Sequence, residues 1–290
     1  MDEFKEKLIA LLHYPNSSWN FVYQTLKRDP MLQTFQPAQL SFQLVTSSNS
    51  YSPNNPVSFS HSAETLHEQI RQYQSNDISV ITIFDPEYPS NLKEIYQPPW
   101  ALFVKGDVSL LKREYMLAVV GSRQATQYGR NAIRLIFPEL IQNGIVIVSG
   151  LARGIDALAH EYAVKNGGNT IAVIAGGHYH IYPKENVDLA TELMKTQLVV
   201  SEYPPDTKPQ RWHFPARNRI ISGMSRGTLI IEAKRKSGSL ITANYAVNEG
   251  RDVFSLPGSI FNPFSVGANE LIQQGAKLVT CAADILEEMR

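Results

Sequence analysis

Residues 116–150, MLAVVGSRQATQYGRNAIRLIFPELIQNGIVIVSG, decide the fold of this chain. They hold two apolar runs, MLAVVG (116–121) and IVIVSG (145–150), each ending in glycine. Between them, about 127–143 has the spacing of an amphipathic helix. A strand that is apolar on both faces needs cover on both, and a parallel sheet flanked by helices supplies it. The alternation continues downstream. TIAVIAGG (170–177), QLVVSE (197–202), TLIIEA (228–233) and DVFSLPG (252–258) read as strands, with helices at 154–166, 184–195, 239–249 and 266–274, and KLVT with a terminal helix closing the chain. The class is α/β, with a doubly wound, mostly parallel Rossmann-like core over 76–290. No internal repeat is present.

Upstream the character changes. Leu8, Leu11 and Leu12, then Trp19, Phe21, Val22 and Leu26, mark short amphipathic helices, and helical patterning resumes at 63–75. Between them TSSNSYSPNNPVSFSHS (46–62) reads as a polar linker, and ISVITIF (78–84) as a strand. Residues 1–75 are therefore expected to form a small helical domain. The chain has 27 Lys/Arg and 27 Asp/Glu, but unevenly: residues 1–110 carry seven and eleven, residues 111–290 twenty and sixteen. The C-terminal two thirds is the part that seeks anions. No run approaches the roughly 18 apolar residues of a membrane span, and MDEFKEKLIALL lacks the pattern of a secretory signal. One cysteine, Cys281, allows no intramolecular disulfide and no zinc cluster. A cytoplasmic location is expected.

Ligands of such sheets sit at the C-terminal ends of the strands. There, Gly121-Ser122-Arg123 reads either as a tight turn with a surface arginine or as a phosphate contact, with close backbone approach and a bidentate guanidinium. Ser149-Gly150 opens a second strand-to-helix junction of small residues, SGLARGID (149–156). Asp156 and His160 beyond it read as structural, the acid favoured in a first helical turn. Lys184, in IYPKEN (181–186), is either a solvated lysine or a cation at the cleft. His178 and His180 make a poor metal site. Glu202 and Glu232 each end a strand and are the acid–base candidates. No P-loop, G-x-G-x-x-G fingerprint, G-x-S-x-G elbow or H-E-x-x-H occurs. No cofactor is expected.

The most distinctive stretch is RWHFPARNRIISGMSRGTLIIEAKRKSGSLITAN (211–244). From Lys208 to Lys236 there are eight Lys/Arg and one acid, Glu232. On a chain of zero net charge this is a dedicated anion site. Arg211, Arg217 and Arg219 interleave with Trp212 and Phe214, as unpaired nucleic acid asks: charge for phosphates, ring faces for bases. Trp212 and Phe214 are nonetheless expected in the core. Ser237 or Ser239 is expected to cap a helix.

Taken together, GSR (121–123), SGLARGIDALAH (149–160), YPKEN (182–186), SEYPP (201–205), HFPARNRIISGMSRG (213–227), EAKRKSGSLITA (232–243), GRDVFSLPG (250–258) and LIQQGAKLV (271–279) resemble the DNA-processing protein A (DprA/Smf) family of bacterial transformation. FDPEYPSNLKEIYQPPWALFVKGD (84–107) resembles its lead-in. The resemblance implies an extended Rossmann fold behind a small, SAM-like helical domain. It implies a non-enzymatic homodimer that binds and protects incoming single-stranded DNA and helps load RecA for recombination. It carries phosphate contact onto Arg123, Lys184 and Arg211, with Arg217 and Asn218 lining the same region and Gly121, Ser122, Ser149 and Gly150 as phosphate-facing strand ends. It offers Ile272 and Leu278 as dimer-interface positions. The winged-helix domain of many members is not expected here. The alternative reading is a Rossmann-like nucleoside-monophosphate phosphoribohydrolase, on Gly227-Thr228 followed by Glu232. Against it, SGMSRGTLIIE (222–232) has Gly-Met-Ser-Arg where that motif needs a double glycine.

Overall fold

The structure, a computed structural model, describes residues 3–14, 17–35 and 63–289. The polar linker expected at 46–62 lies outside them. By internal contacts the chain divides into Met1–Ser79 and Val80–Arg290.

The first unit contains the helices Glu3–Leu12, Trp19–Arg28 and Ala63–Ser75. Leu8, Ile9, Leu11 and Val22 are buried, which is the face their helical spacing presents. Ser18 caps the second helix, its hydroxyl accepting from the Phe21 N–H at 3.2 Å. His13 Nε2 lies 2.6 Å from the Tyr73 hydroxyl, and the two rings stack.

Residues 78–278 contain one nine-stranded sheet. Its strands are β1 (Ile78–Thr82), β2 (Ala101–Gly106), β3 (Met116–Val120), β4 (Val146–Ser149), β5 (Thr170–Ile174), β6 (Leu198–Ser201), β7 (Gly227–Ile230), β8 (Asp252–Ser255) and β9 (Lys277–Leu278). Their spatial order is β1-β2-β6-β5-β4-β3-β7-β8-β9. From β6 to β9 every pairing is parallel. The chain winds outward from β3 through β4, β5 and β6, then returns to the other side of β3 for β7, β8 and β9. This reversal beside β3 is the switch point of a doubly wound fold.

Side-chain alternation assigns each strand residue a layer. Met116, Ala118 and Val120 face Ile220, Ile221, Ala243 and Ala246, from the helices His213–Met224 and Gly238–Asn248. Leu117 and Val119 face Ile133, Ile136, Phe137 and Ile155, from the helices Gln127–Gln142 and Ile155–Lys165. All five β3 residues are buried, as a strand covered on both sides must be.

One strand was not expected. β2 pairs antiparallel with β6, Phe103 opposite Ser201 and Gly106 opposite Leu198. Its sequence, ALFVKG, falls in a proline-bounded stretch with no helical pattern after it, so no βαβ rhythm announces it. Gly106 ends it at a φ of +115°, a conformation that favours glycine.

Phe137 is wholly buried and meets Tyr162 edge-on at 5.8 Å between centroids. Phe137→Ala should lower unfolding stability by about 3–5 kcal/mol, read by urea titration; a loss under about 1 kcal/mol would show that this layer is not close-packed.

Candidate functional site

Arg123 follows β3, Lys184 follows β5 and Arg211 follows β6. Parallel pairing places all three at the C-terminal rim of the sheet, and all three are exposed. None makes an ion pair among the described residues.

The rim is cross-braced from loop to loop. The Ile155 N–H donates to the Ser122 carbonyl at 3.1 Å, joining the loops after β3 and β4. Gly154, at a φ of +78°, lies against that carbonyl so closely that a Cβ would overlap it. Asn186 Nδ2 donates to the carbonyls of Leu151 at 2.9 Å and Ala152 at 3.2 Å, and Arg153 pairs with Glu185. Those contacts join the loops after β4 and β5. The Gly177 N–H donates to Thr207 at 2.8 Å and the Tyr179 N–H to Pro205 at 2.9 Å, joining the loops after β5 and β6. Arg123, Lys184 and Arg211 therefore stand on one connected ledge.

Arg217 underlies the ledge. It is buried, and its Nη1 donates to the carbonyls of Gly150 and Val173, at the ends of β4 and β5. Its Nε donates to Asn218 Oδ1 at 3.2 Å. Gly150 is required here, since a Cβ would come within 2.6 Å of the guanidinium. Burial pushes the Arg217 pKa down to about 10, partly offset by the negative charge of Asp156, so the group remains charged at neutral pH. Asp156 accepts from the N–H groups of Gly150 at 3.2 Å and Ala152 at 3.4 Å. Burial raises its pKa, opposed first by Arg217.

Of the expected contacts, Arg217, Ser149 and Ser122 are buried, while Gly121 and Asn218 are half-buried. Arg217 holds carbonyls inside the fold. The Ser149 hydroxyl is buried and donates to the Val119 carbonyl at 2.6 Å. Ser122 closes its own turn, accepting from the Gln124 N–H at 3.0 Å, and Gly121 lies against the Ile155 side chain. Asn218 Nδ2 reaches the Gly238 carbonyl at 3.4 Å. These residues shape the ledge on which the exposed cations stand.

The two acids do not converge as free groups. Glu202 pairs with Arg219, and burial raises its pKa. Glu232 accepts from the N–H of Thr126 at 3.0 Å and from its hydroxyl, so it braces the start of the Gln127–Gln142 helix. Among the described residues no cluster of three His, Cys, Asp or Glu could hold a metal, and no helix is long and apolar enough to cross a membrane.

Trp212 corrects an expectation. It is 66% exposed rather than in the core. His213 takes the inward place at the helix start, its Nδ1 lying 3.0 Å from the Ala175 carbonyl and its ring stacked on Tyr203 at 3.9 Å. Trp212, one residue earlier, is turned outward and meets the His213 ring edge-to-face at 4.0 Å between centroids. Phe214 is half-buried, edge-on to the exposed Tyr182 at 5.6 Å. Tyr182 and Trp212 thus flank the two cations Lys184 and Arg211 in sequence. The sequence reading missed Tyr182, although its place beside Lys184 in YPK was the available signal.

Three comparisons bear on the site. Residues 79–290 match the family model described as DNA recombination-mediator protein A. The DNA processing protein DprA of Bacillus subtilis (strain 168) is 49% identical over 224 residues, 77% of this chain and 75% of that protein. The crystal structure of DNA processing protein A from Streptococcus pneumoniae superposes with a TM-score of 0.78 at 38% identity, covering 98% of each chain. DNA processing protein A from Helicobacter pylori, solved for its single-stranded DNA binding mode, superposes with a TM-score of 0.65 at 32% identity, covering 72% of this chain and 94% of that one.

The buried histidines set an acid limit. His160 Nδ1 lies 2.7 Å from the Thr170 hydroxyl, and burial takes its pKa down to about 3. Burial takes His178 down to about 4. Both titrate near 6.5 when unfolded. The unfolded chain therefore binds protons that the folded one refuses, and stability present above pH 6.5 is lost as pH falls. The expected slope approaches about 1.4 kcal/mol per pH unit for each histidine. Urea titrations at pH 7 and pH 5 should show His160→Gln with a smaller drop than wild type; an equal or larger drop would exclude this role.

Proposed function

The chain belongs to the DNA recombination-mediator protein A family, and from that premise we propose that its ledge grips unpaired DNA by the backbone during transformation. The observation that carries this reading is the connected ledge itself. Arg123, Lys184 and Arg211 are exposed on loops braced to one another, and none makes an ion pair among the described residues. Three cations on one rim match the repeating charge of a polynucleotide. Tyr182 and Trp212 add ring faces on which bases of any sequence can stack. Contacts of this kind position a strand without reading its bases.

Single strands suit the ledge better than duplex. The stacking rings need bases that are already unpaired. The bound strand would be shielded on one side and open on the other, which is the form a recombinase requires. Loading of RecA and protection of incoming DNA in the cytoplasm follow from that reading. The phosphoribohydrolase alternative has less support, because Glu232 is held by Thr126 and is not free to act at a bound nucleotide.

A homodimer is part of the proposal. β9 is the outermost strand on its side of the sheet, and Leu278 on it is 45% exposed, with Ile272 half-buried nearby in sequence. An apolar side chain on an open strand edge invites a second copy.

Arg123→Ala and Lys184→Ala should each weaken oligothymidylate binding at least about tenfold while leaving the thermal midpoint unchanged. Each should lower the slope of log affinity against log salt by about 0.7. Both should also abolish any stimulation of RecA assembly on the same strand. Wild-type affinity in both variants would remove the ledge as the binding site. Separately, Leu278→Glu should convert a dimer to a monomer in sedimentation; an unchanged mass would reject that interface.

A further inference from the structure

β7 and β8 lie on the far side of β3 from Lys184 and Arg211, and their C-terminal loops carry features that the ledge does not use. After β7 come Lys234, Arg235 and Lys236, all exposed. After β8 comes a turn that displays Ile260 and Phe261, 78% and 89% exposed. Two large apolar side chains so open to water are costly on a surface without a purpose.

The turn is rigid. The Phe261 N–H donates to Ser259 Oγ at 3.3 Å, and the Asn262 N–H to the Ser259 carbonyl at 3.0 Å. The Phe264 N–H donates to Asn262 Oδ1 at 3.0 Å. At its base the Gly258 N–H donates to Asn269 Oδ1 at 3.0 Å, and Asn269 Nδ2 returns a bond to the Gly258 carbonyl at 2.9 Å. The exposure of Phe261 is therefore held by the backbone and is not a consequence of a slack loop.

The turn is also joined to the Arg123 loop. Tyr128, just beyond that loop, donates from its hydroxyl to the Pro257 carbonyl at 2.5 Å. Lys234 Nζ bonds Gln124 Oε1 at 3.3 Å and sits 4.3 Å from the centroid of the Phe264 ring. Arg235 is paired with Glu270 at 2.6 Å. Lys236 makes no ion pair among the described residues. The arrangement from Arg123 outward is thus a cation, a second group of cations and then a bare aromatic ring, all on one side of the sheet.

We propose that this is a second segment of the strand track: DNA leaving Arg123 crosses the Lys234–Lys236 loop and stacks a base on Phe261. The inference rests on the ledge reading but assigns new residues, on the opposite side of the switch point. The occupant is an unpaired polynucleotide because the exposed cations of the loop after the adjacent strand β7 supply its phosphate contacts. A purely apolar partner would give nothing to Lys236, which is exposed and makes no ion pair among the described residues.

The test compares oligothymidylates of about six and about sixteen nucleotides, which bracket the usual reach of a single-strand site. The shorter should fit the Arg123–Arg211 ledge alone and the longer should also reach Phe261. Phe261→Ala should weaken the longer strand about tenfold, leave the shorter unchanged and keep the wild-type salt slope, since stacking releases no counterion. Phe261→Trp should restore affinity. Lys236→Ala should instead lower the salt slope, again for the longer strand only. Wild-type affinity of Phe261→Ala for both lengths would overturn the second segment and leave the ledge intact. A changed sedimentation mass of the free Phe261→Ala protein would overturn it in favour of a contact between copies. Failure of the wild type to bind either length would overturn the ledge reading and this one together.

Discussion

The architecture of the rim depends on one buried cation. Arg217 lies under the loops and ties the Gly150 carbonyl of one strand end to the Val173 carbonyl of the next. A guanidinium removed from water is costly, by several kcal/mol, unless its donors and charge are met. Here two carbonyls, Asn218 Oδ1 and the nearby Asp156 do so. Asp156 in turn receives the N–H groups of Gly150 and Ala152. The group thus satisfies backbone atoms that a tight strand-to-helix junction would otherwise leave unpaired. Gly150 has no alternative in this arrangement, because the guanidinium occupies the space of a side chain.

Charge is distributed with the same economy. The protein is neutral overall, and many of its rim charges are matched: Arg153 with Glu185, Arg219 with Glu202, Arg235 with Glu270. Those pairs fix loops. What remains is a short series of exposed cations that make no ion pair among the described residues. A local field of this kind attracts a polyanion without making the whole surface adhesive.

The β/α alternation was readable because the central strands β3 to β7 are buried on both faces and so are mostly apolar, as in 116–120 and 146–149. β2 was not, because it joins antiparallel and has no crossover helix to punctuate it. At the site, the GSR and YPK cations stood out by type and position, and Arg123 and Lys184 are exposed where a strand end should present them. Arg217 and Ser149 show the limit of that method. A motif records which residues a site needs, and does not separate those that touch a ligand from those that hold the backbone behind it. Burial separates these residues in the fold: Arg217 and Ser149 are inside, Arg123 outside. Trp212 and His213 show a similar limit, since adjacent aromatic residues compete for one inward slot and the smaller ring took it.

The bracing between loops has a thermodynamic meaning beyond shape. Loops that must be frozen by a ligand consume part of its interaction energy in lost conformational freedom. Here Asn186, Gly154 and the Gly177–Thr207 bond have immobilised the backbone during folding. Capture of a flexible polymer then demands ordering from one participant alone. Association with little receptor rearrangement is fast and reversible.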